Sequence, residues 1–224
     1  MIPEAIMISR SLSFAGILLS ALMAIASNAQ TPASKEVPKT VYDYSVVSLD
    51  GKVVTLDTYK GKVLLIVNLA SKSIYDDQLK ALEDLQKTYA DKGLVVVGIP
   101  STDFGAEELK DNSAIQKYYL DTEHVNFQVV SLSTVRGKDT LPLIHFLTDP
   151  KQGAGGGEIH WNFTKFLVDR KGHPVLRLEV SSDPADPEFR VTIEQILDGT
   201  FKKKEAGDKG GSTPAGDDDS DDGE

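Results

Sequence analysis

The sequence predicts an α/β fold in which helices flank a central mixed β-sheet. Two continuous apolar runs, KVLLIVNLA at residues 62–70 and LVVVGIP at residues 94–100, are typical of strands buried on both faces. The segment between them repeats apolar residues at intervals of three and four, which predicts an amphipathic helix. Later in the chain, two extended runs flank residues 170–172 (RKG), which indicates an antiparallel hairpin. Together these observations predict a sheet with both parallel and antiparallel strand pairs.

The first half of the folded region begins with a β-hairpin. Residues 44–56 (YSVVSLDGKVVTL) place two β-prone runs around Asp50 and Gly51, and an Asp-Gly pair is a strong hairpin signal. The helix after the first buried strand has five side chains on its apolar face: Tyr75, Leu79, Leu82, Leu85 and Tyr89. We expect this helix to end near Gly93. A strand, a helix and a strand within about 40 residues form a βαβ unit, which requires a right-handed crossover.

The second half is predicted to complete the sheet. Residues 112–120 (NSAIQKYYL) have a helical pattern, and residues 127–133 (FQVVSLS) an extended one. The hairpin strands are residues 161–169 (WNFTKFLVD) and 173–180 (HPVLRLEV), and residues 186–197 (DPEFRVTIEQIL) form a closing helix. A parallel βαβ unit followed by an antiparallel hairpin and a terminal helix is the order of a thioredoxin-like fold. We assign this domain to residues 41–204.

The N-terminal residues are typical of a secretory signal. Arg10 precedes an apolar run (SLSFAGILLSALMAIA), and small residues stand at Ser27 and Ala29. We predict a signal peptide at residues 1–29, cleaved after Ala29, and a linker at residues 30–40. An uncleaved anchor is the alternative. The protein is therefore expected to be exported, periplasmic or secreted, without stable membrane insertion after cleavage.

The C-terminal residues 205–224 (EAGDKGGSTPAGDDDSDDGE) contain no large apolar residue. Eight acidic residues against one lysine give this tail a charge of −7, out of −10 for the whole chain. Such a segment buries too little apolar surface to offset its chain entropy, so we predict a disordered, solvating tail. Weak calcium binding and recruitment of a partner protein are alternatives. Neither the tail nor the domain has a basic patch, so nucleic acid is not a predicted partner.

The chain contains no cysteine, which restricts its chemistry. Disulfide formation, thiol catalysis and a lipid anchor attached to cysteine are all excluded. The sequence predicts no cofactor and no resident metal. Any catalytic function must use other side chains.

Three segments in order along the chain resemble glutathione peroxidases. Residues 50–73, ending in NLASKS, resemble the opening of that family and its NVASKC segment. Residues 93–105 (GLVVVGIPSTDFG) resemble its GLxVLGFPCNQFG segment, and residues 161–177 (WNFTKFLVDRKGHPVLR) match a third. Residues 141–147 (LPLIHFL) fit its xPLYKFL region. The resemblance covers residues 41–199, and the short connection before WNF is similar to the monomeric branch, which implies a monomer.

The resemblance implies peroxide reduction in response to oxidative stress. In that family a thiolate or selenolate attacks the peroxide, and Gln, Trp and Asn side chains surround it. Trp161 and Asn162 match the motif, whereas Ser73 stands at the nucleophile position and Asp103 at the Gln position. A small peroxide or a thiol is the implied ligand. A serine hydroxyl is not ionised at neutral pH without a base and has no oxidation ladder like that of cysteine. We therefore predict that thiol-peroxidase chemistry is lost.

Other interpretations of these residues remain open. Ser73 and Asp76 fit a capping box at a helix N-terminus. Ser73 as a hydrolase nucleophile would need a histidine base, for which His160 is the nearest candidate by motif. Asp76, Asp77 and Asp103 together would suit a cation. An enzyme with such a Ser/Asp or metal mechanism, and a partner-binding module using the acidic tail, are the alternative functions.

Two further alternatives concern the matched residues and the missing thiol. Trp161 is equally explained by packing over the end of the sheet, and Asn162 by hydrogen bonds to a loop backbone. The missing thiol is explained by natural divergence or by an engineered cysteine-to-serine change. Ile74 and Asp76 also depart from the family pattern, which favours divergence.

Overall fold

A computed structural model describes residues 39–105 and 107–202. The strands of this part of the chain are β1 (Ser45–Val47), β2 (Val53–Thr55), β3 (Val63–Leu69), β4 (Leu94–Pro100), β5 (Gln128–Val129), β6 (Lys165–Val168) and β7 (Pro174–Leu178). The α-helices are α1 (Gln78–Tyr89), α2 (Asn112–Gln116), α3 (Pro142–Thr148) and α4 (Pro187–Leu197). Short 3-10 helices span Val41–Asp43 and Leu56–Tyr59, and a π-helix spans Lys117–Thr122. The predicted signal peptide, most of the linker and the acidic tail lie outside the described residues.

The main sheet has five strands in the order β5-β4-β3-β6-β7. Strand β3 pairs in parallel with β4 and antiparallel with β6, and β6 pairs antiparallel with β7. The strands β1 and β2 form a separate antiparallel hairpin, as the Asp-Gly signal predicts. This mixed sheet with flanking helices confirms the predicted fold class.

The central position of β3 explains its continuous apolar sequence. All seven of its residues are buried, and alternate residues point to opposite faces of the sheet. Leu65 belongs to an apolar cluster with residues of α1 and α4, whereas Ile66 belongs to a second cluster with residues of α3. The sheet therefore separates two half-cores.

The topology brings three chain segments to one edge of the sheet. The carboxyl ends of the parallel strands β3 and β4 lie at the same edge, and the antiparallel strand β6 begins there. The loop after β3, the loop after β4 and the turn before β6 therefore meet. These segments carry Ser73, Asp103 and the pair Trp161–Asn162.

Several predicted boundaries differ from the structure. Helix α1 begins at Gln78, so Tyr75 lies in the turn before it. Residues 161–164 form a turn and not a strand, since pairing starts at Lys165. Only two of residues 127–133 form a strand, and α3 was not predicted as a helix. In the part of the chain that the structure describes, no helix is long and apolar enough to span a bilayer.

Candidate functional site

Ser73 lies in the loop after β3, where the resemblance predicts the site. Its exposed fraction is 3%, whereas the next residue, Ile74, is 81% exposed. The Ser73 hydroxyl accepts a hydrogen bond from the Tyr75 amide at 3.4 Å, and its carbonyl accepts one from the Asp76 amide at 3.2 Å. Ser73 therefore opens a turn that leads to α1. The capping-box prediction is wrong in its position, because the residue that precedes α1 is Asp77.

The loop after β4 is tied to the loop after β3 by backbone and side-chain hydrogen bonds. The Lys72 amide donates to the Glu107 carbonyl at 2.7 Å. The carboxylate of Glu108 accepts from the Ser71 hydroxyl at 2.5 Å and from the Tyr119 hydroxyl at 2.7 Å. We call Ser71, Glu108 and Tyr119 the Glu108 cluster. It fixes both loops against the π-helix that contains Tyr119.

The Glu108 cluster is buried, which changes the acidity of its tyrosine. Glu108 is only 2% exposed, and its carboxylate also accepts from the Leu109 amide at 2.7 Å. Burial raises the pKa of Tyr119 well above its ordinary value, and the neighbouring Glu108 carboxylate raises it further. Tyr119 therefore remains a neutral hydrogen-bond donor throughout the physiological pH range.

The turn before β6 is held by Asn68, the penultimate residue of β3. The Asn68 carbonyl accepts from the Phe163 amide at 2.8 Å, and its side-chain oxygen accepts from the Thr164 amide at 3.1 Å. Phe163 has a φ of 56°, which is uncommon for a bulky residue. The turn that carries Trp161 and Asn162 is thus a strained segment held by surrounding hydrogen bonds.

Asn162 and Trp161 both contact the loop after β4. Asn162 is fully buried, and its amide nitrogen donates to the Glu107 carboxylate at 2.5 Å. The Trp161 ring lies 6.0 Å from the Phe104 ring, between centroids, and its side chain is 40% exposed. Both predicted site residues therefore lie at the meeting point of the loops, and Trp161 has a face open to solvent.

Asp103 has a different set of contacts. Its carboxylate accepts from the Val135 amide at 2.5 Å, from the Arg136 amide at 3.2 Å and from the Ser101 hydroxyl at 3.0 Å. These bonds connect the loop after β4 to the segment before α3. In the described structure, no hydrogen bond joins Asp103 to Ser73, so the Asp103 side chain has a structural environment of its own.

The other acidic candidates lie apart from Asp103 in the hydrogen-bond network. Asp76 and Asp77 line a pocket of about 290 Å³, together with residues of α1 and of the π-helix region: Leu79, Lys80, Glu83, Tyr118 and Glu123. Within residues 39–105 and 107–202, no three His, Asp or Glu side chains are arranged to hold a metal ion. The predicted cation site therefore has no ligand set there.

The hydrolase interpretation also lacks a geometric basis. His160 is exposed, and no histidine hydrogen-bonds to Ser73 among the described residues. The Ser73 hydroxyl instead accepts a backbone amide. A serine nucleophile needs a base within hydrogen-bonding distance.

Sequence patterns missed five residues that build the site, of which Glu107 is half-buried and the other four are buried: Asn68, Glu107, Glu108, Tyr119 and Lys165. For Lys165 a signal was present, because it is a single charged residue directly before the apolar run FLV of the predicted strand. Glu107 and Glu108 stand in a polar loop where acids are common. Nothing in the local sequence distinguishes them from solvated residues.

Comparisons with known proteins agree with this architecture. The family model described as glutathione peroxidase matches residues 41–148. A glutathione peroxidase of Lactococcus lactis subsp. cremoris is 38% identical over 150 residues, which cover 67% of this chain and 96% of that protein. The crystal structure of T. cruzi GPX1 has a TM-score of 0.56 and 29% identity, covering 73% of this chain and 100% of that one.

A more distant likeness concerns the fold alone. A thioredoxin-family thiol:disulfide interchange protein of Chlorobium tepidum is 22% identical, with a TM-score of 0.55. The matched region covers 72% of this chain and 97% of that chain. This likeness supports the thioredoxin-like fold.

Proposed function

Because the chain belongs to the glutathione peroxidase family and contains no cysteine, we propose that it is an exported member that has lost thiol-peroxidase chemistry and serves as a binding module. The observation that carries the proposal is Ser73, which matches the nucleophile position of the family motif. Its buried hydroxyl is already engaged by a backbone amide. The site therefore has the family's framework with an unreactive group at its centre.

The chemical reason is the difference between a hydroxyl and a thiol. A cysteine thiolate attacks a peroxide oxygen and becomes a sulfenic acid, which another thiol reduces. A serine hydroxyl is ionised only with an activating base, and its oxygen has no equivalent oxidation states. Ser73 therefore acts as a hydrogen-bonding group and not as a nucleophile.

The remaining site residues suit binding. The side chains of Trp161 and Ile74 are both exposed, at 40% and 81%, while the buried Asn162 donates a hydrogen bond to Glu107. A small peroxide or a thiol compound would meet an aromatic ring, an aliphatic side chain and backbone polar groups. Apolar and aromatic side chains with a few polar groups are the usual lining of small-molecule sites.

The location and assembly of the protein belong to the same proposal. The apolar run and the small residues before residue 30 support export to the periplasm or beyond the cell. The short connection before Trp161 supports a monomer. Mass spectrometry of the mature protein from an exporting host should find an N-terminus at Gln30, and sedimentation should give the mass of one chain. An intact N-terminus would contradict export by cleavage.

Peroxide consumption tests the loss of activity. We expect the purified protein with hydrogen peroxide and either glutathione or thioredoxin to consume no more peroxide than buffer does. Protein-dependent turnover at catalytic amounts would overturn the proposal. A fluorophosphonate probe covers the serine mechanism, and we expect no adduct at Ser73.

The variant Ser73→Cys tests whether the framework still fits the family chemistry. We expect the new thiol to be oxidised by peroxide to a sulfenic acid, detectable by dimedone labelling. Ser101→Cys is the matched control, since Ser101 is also buried at the sheet edge but bonds to Asp103. Equal labelling of the two variants would show that the Ser73 position has no residual advantage.

A further inference from the structure

Lys165 is a charged residue in an apolar environment. Its side chain has no exposed surface, and in β6 it pairs with Val67 of β3. Val67 belongs to the apolar cluster that includes residues of α1 and α4. Removing an ammonium group from water is unfavourable unless it is hydrogen-bonded or paired. A methionine would fill similar space without this cost, so the ammonium group requires an explanation.

The Lys165 ammonium group holds the strained turn. Its Nζ donates a hydrogen bond to the Phe163 carbonyl at 2.8 Å. The Phe163 amide donates to the Asn68 carbonyl at 2.8 Å, so both polar groups of this residue are fixed. A positive φ in a non-glycine residue persists only where its surroundings enforce it. Lys165 supplies one of the two hydrogen bonds that hold Phe163 in this conformation. Phe163 directly follows Trp161 and Asn162 in the chain.

Two carboxylates face Lys165 and counteract its burial in part. They are Glu179, which follows β7, and Asp183, in the segment before α4. Burial is the larger effect, and it lowers the pKa of Lys165 to about 8. Facing elements β3 and α1 contribute apolar side chains such as Val67 and Leu79 to the same cluster.

We propose that Lys165 is a positioning residue whose protonated amine fixes the turn carrying Trp161 and Asn162, and that loss of its proton loosens this turn. A hydrogen bond from a charged donor is about twice as strong as a neutral one. The neutral amine therefore holds the strained Phe163 carbonyl less tightly. The functional meaning of the turn rests on the proposed binding role, but the coupling itself does not.

Trp161 is the only tryptophan of the chain, so its fluorescence reports on this turn directly. We expect acrylamide quenching of Trp161, measured from pH 6 to pH 10, to increase in a single step with a midpoint near pH 8. Tyr89 and Tyr119 belong to the same apolar cluster as Val67, and burial raises their pKa values above the ordinary value. Their titration therefore lies above this step.

Three variants identify the group responsible. Lys165→Met should remove the step and leave Trp161 as accessible at pH 6 as the wild type is at pH 10. Lys171→Met, which changes an exposed lysine of the same hairpin, should retain the step. His160→Gln should also retain it, which separates Lys165 from the histidine next to Trp161.

The outcomes are decisive even if Lys165→Met fails to fold. A wild-type protein whose Trp161 quenching does not change between pH 6 and pH 10 would overturn the proposal. So would a step that persists in Lys165→Met or disappears in His160→Gln. NMR titration of the wild type supplies a second measurement, in which the Lys165 side-chain carbon and the Phe163 amide should shift with one midpoint. Peroxide turnover would refute the proposed function and leave this coupling intact.

Discussion

At the residue scale, the side chains of Ser73 and Asp103 both accept hydrogen bonds from backbone amides, but from different parts of the chain. The Ser73 hydroxyl accepts a hydrogen bond from the Tyr75 amide, within its own turn. Asp103 directs its carboxylate to backbone amides of another segment. A carboxylate that accepts several hydrogen bonds stabilises the loop in which it lies. Asp103 therefore has a structural role in joining the loop after β4 to the segment before α3.

The hydrogen bonds of Asp103 predict a stability effect. Asp103→Ala should lower the free energy of unfolding by about 2 kcal/mol, because the Val135 amide loses its acceptor in a partly buried place. Asp76→Ala is the matched control, since Asp76 is exposed and should change stability by less than about 0.5 kcal/mol. Urea denaturation measures both. Equal effects would show that Asp103 is not a structural tie.

Lys165 predicts a dependence of stability on pH. Its folded-state pKa is lowered to about 8 from 10.5, so the unfolded chain binds more protons between these values. Stability should therefore rise as the pH increases from 8 to 10.5, by on the order of 3 kcal/mol from this residue. Below pH 8 Lys165 is protonated in both the folded and the unfolded chain, and the cost of burying its charge lowers the free energy of unfolding in full.

Denaturation of Lys165→Met across the same pH range measures that contribution. The free energy of unfolding of Lys165→Met should lack the rise between pH 8 and pH 10.5 that the wild type shows. Lys171→Met is the control, because its pH dependence includes the titration of all other groups and should match that of the wild type. If the wild type and Lys165→Met have the same slope, the lysine amine is not titrating with a lowered pKa.

At the element scale, the site is built by loops that belong to different strands and helices. The Glu108 cluster joins the loop after β3, the loop after β4 and the π-helix. π-Helical turns are rare and often occur at functional sites. Here the π-helix presents the Tyr119 hydroxyl to a buried carboxylate. The loops near Ser73 therefore depend on a helix more than 40 residues further along the chain.

This dependence predicts non-additive effects of two conservative changes. Tyr119→Phe and Ser71→Ala each remove one donor from the Glu108 carboxylate, and each should cost about 1–2 kcal/mol. The double variant should deviate from the sum of the two by more than about 0.5 kcal/mol, because both act on one buried carboxylate. Thermal and urea unfolding of the four proteins measure the coupling. Simple additivity would show that the two hydroxyls act independently.

At the scale of the whole molecule, one sheet organises two half-cores and one site. Adjacent residues of β3 pack into opposite clusters, and Asn68, the penultimate residue of the same strand, holds the turn before β6. Packing on either face therefore supports the position of the site loops. The net charge of the chain is concentrated instead in residues 205–224.

Packing in both half-cores should contribute to one cooperative unfolding transition. Leu65→Ala and Ile66→Ala should each cost about 2–5 kcal/mol, since both side chains are fully buried. The exposed Val191→Ala is the control and should have little effect. Loss of a single cooperative transition in either variant, seen as different midpoints for fluorescence and circular dichroism, would show that the half-cores fold independently.

Much of the fold follows from local sequence. The apolar run of β3, the spacing of Leu79, Leu82 and Leu85, and the Asp-Gly turn each reflect a physical preference of neighbouring residues. Such preferences identify strands, helices and their order. They define boundaries less well, because the ends of α1 and β6 depend on contacts with other segments, as the turn at Phe163 demonstrates.

The sequence by itself also determined that thiol chemistry is absent, and it predicted where the family site lies. Without a cysteine no thiol mechanism is available, and the WNF motif predicts Trp161 and Asn162 as site residues. Only the tertiary structure decided how the site is held. Asn162 donates a hydrogen bond to Glu107, and Lys165 donates one to the Phe163 carbonyl. Glu108 accepts hydrogen bonds from Ser71 and Tyr119. These contacts form where strand ends converge in space, and a buried charge or amide shows its role only when its partner from a distant segment is in place.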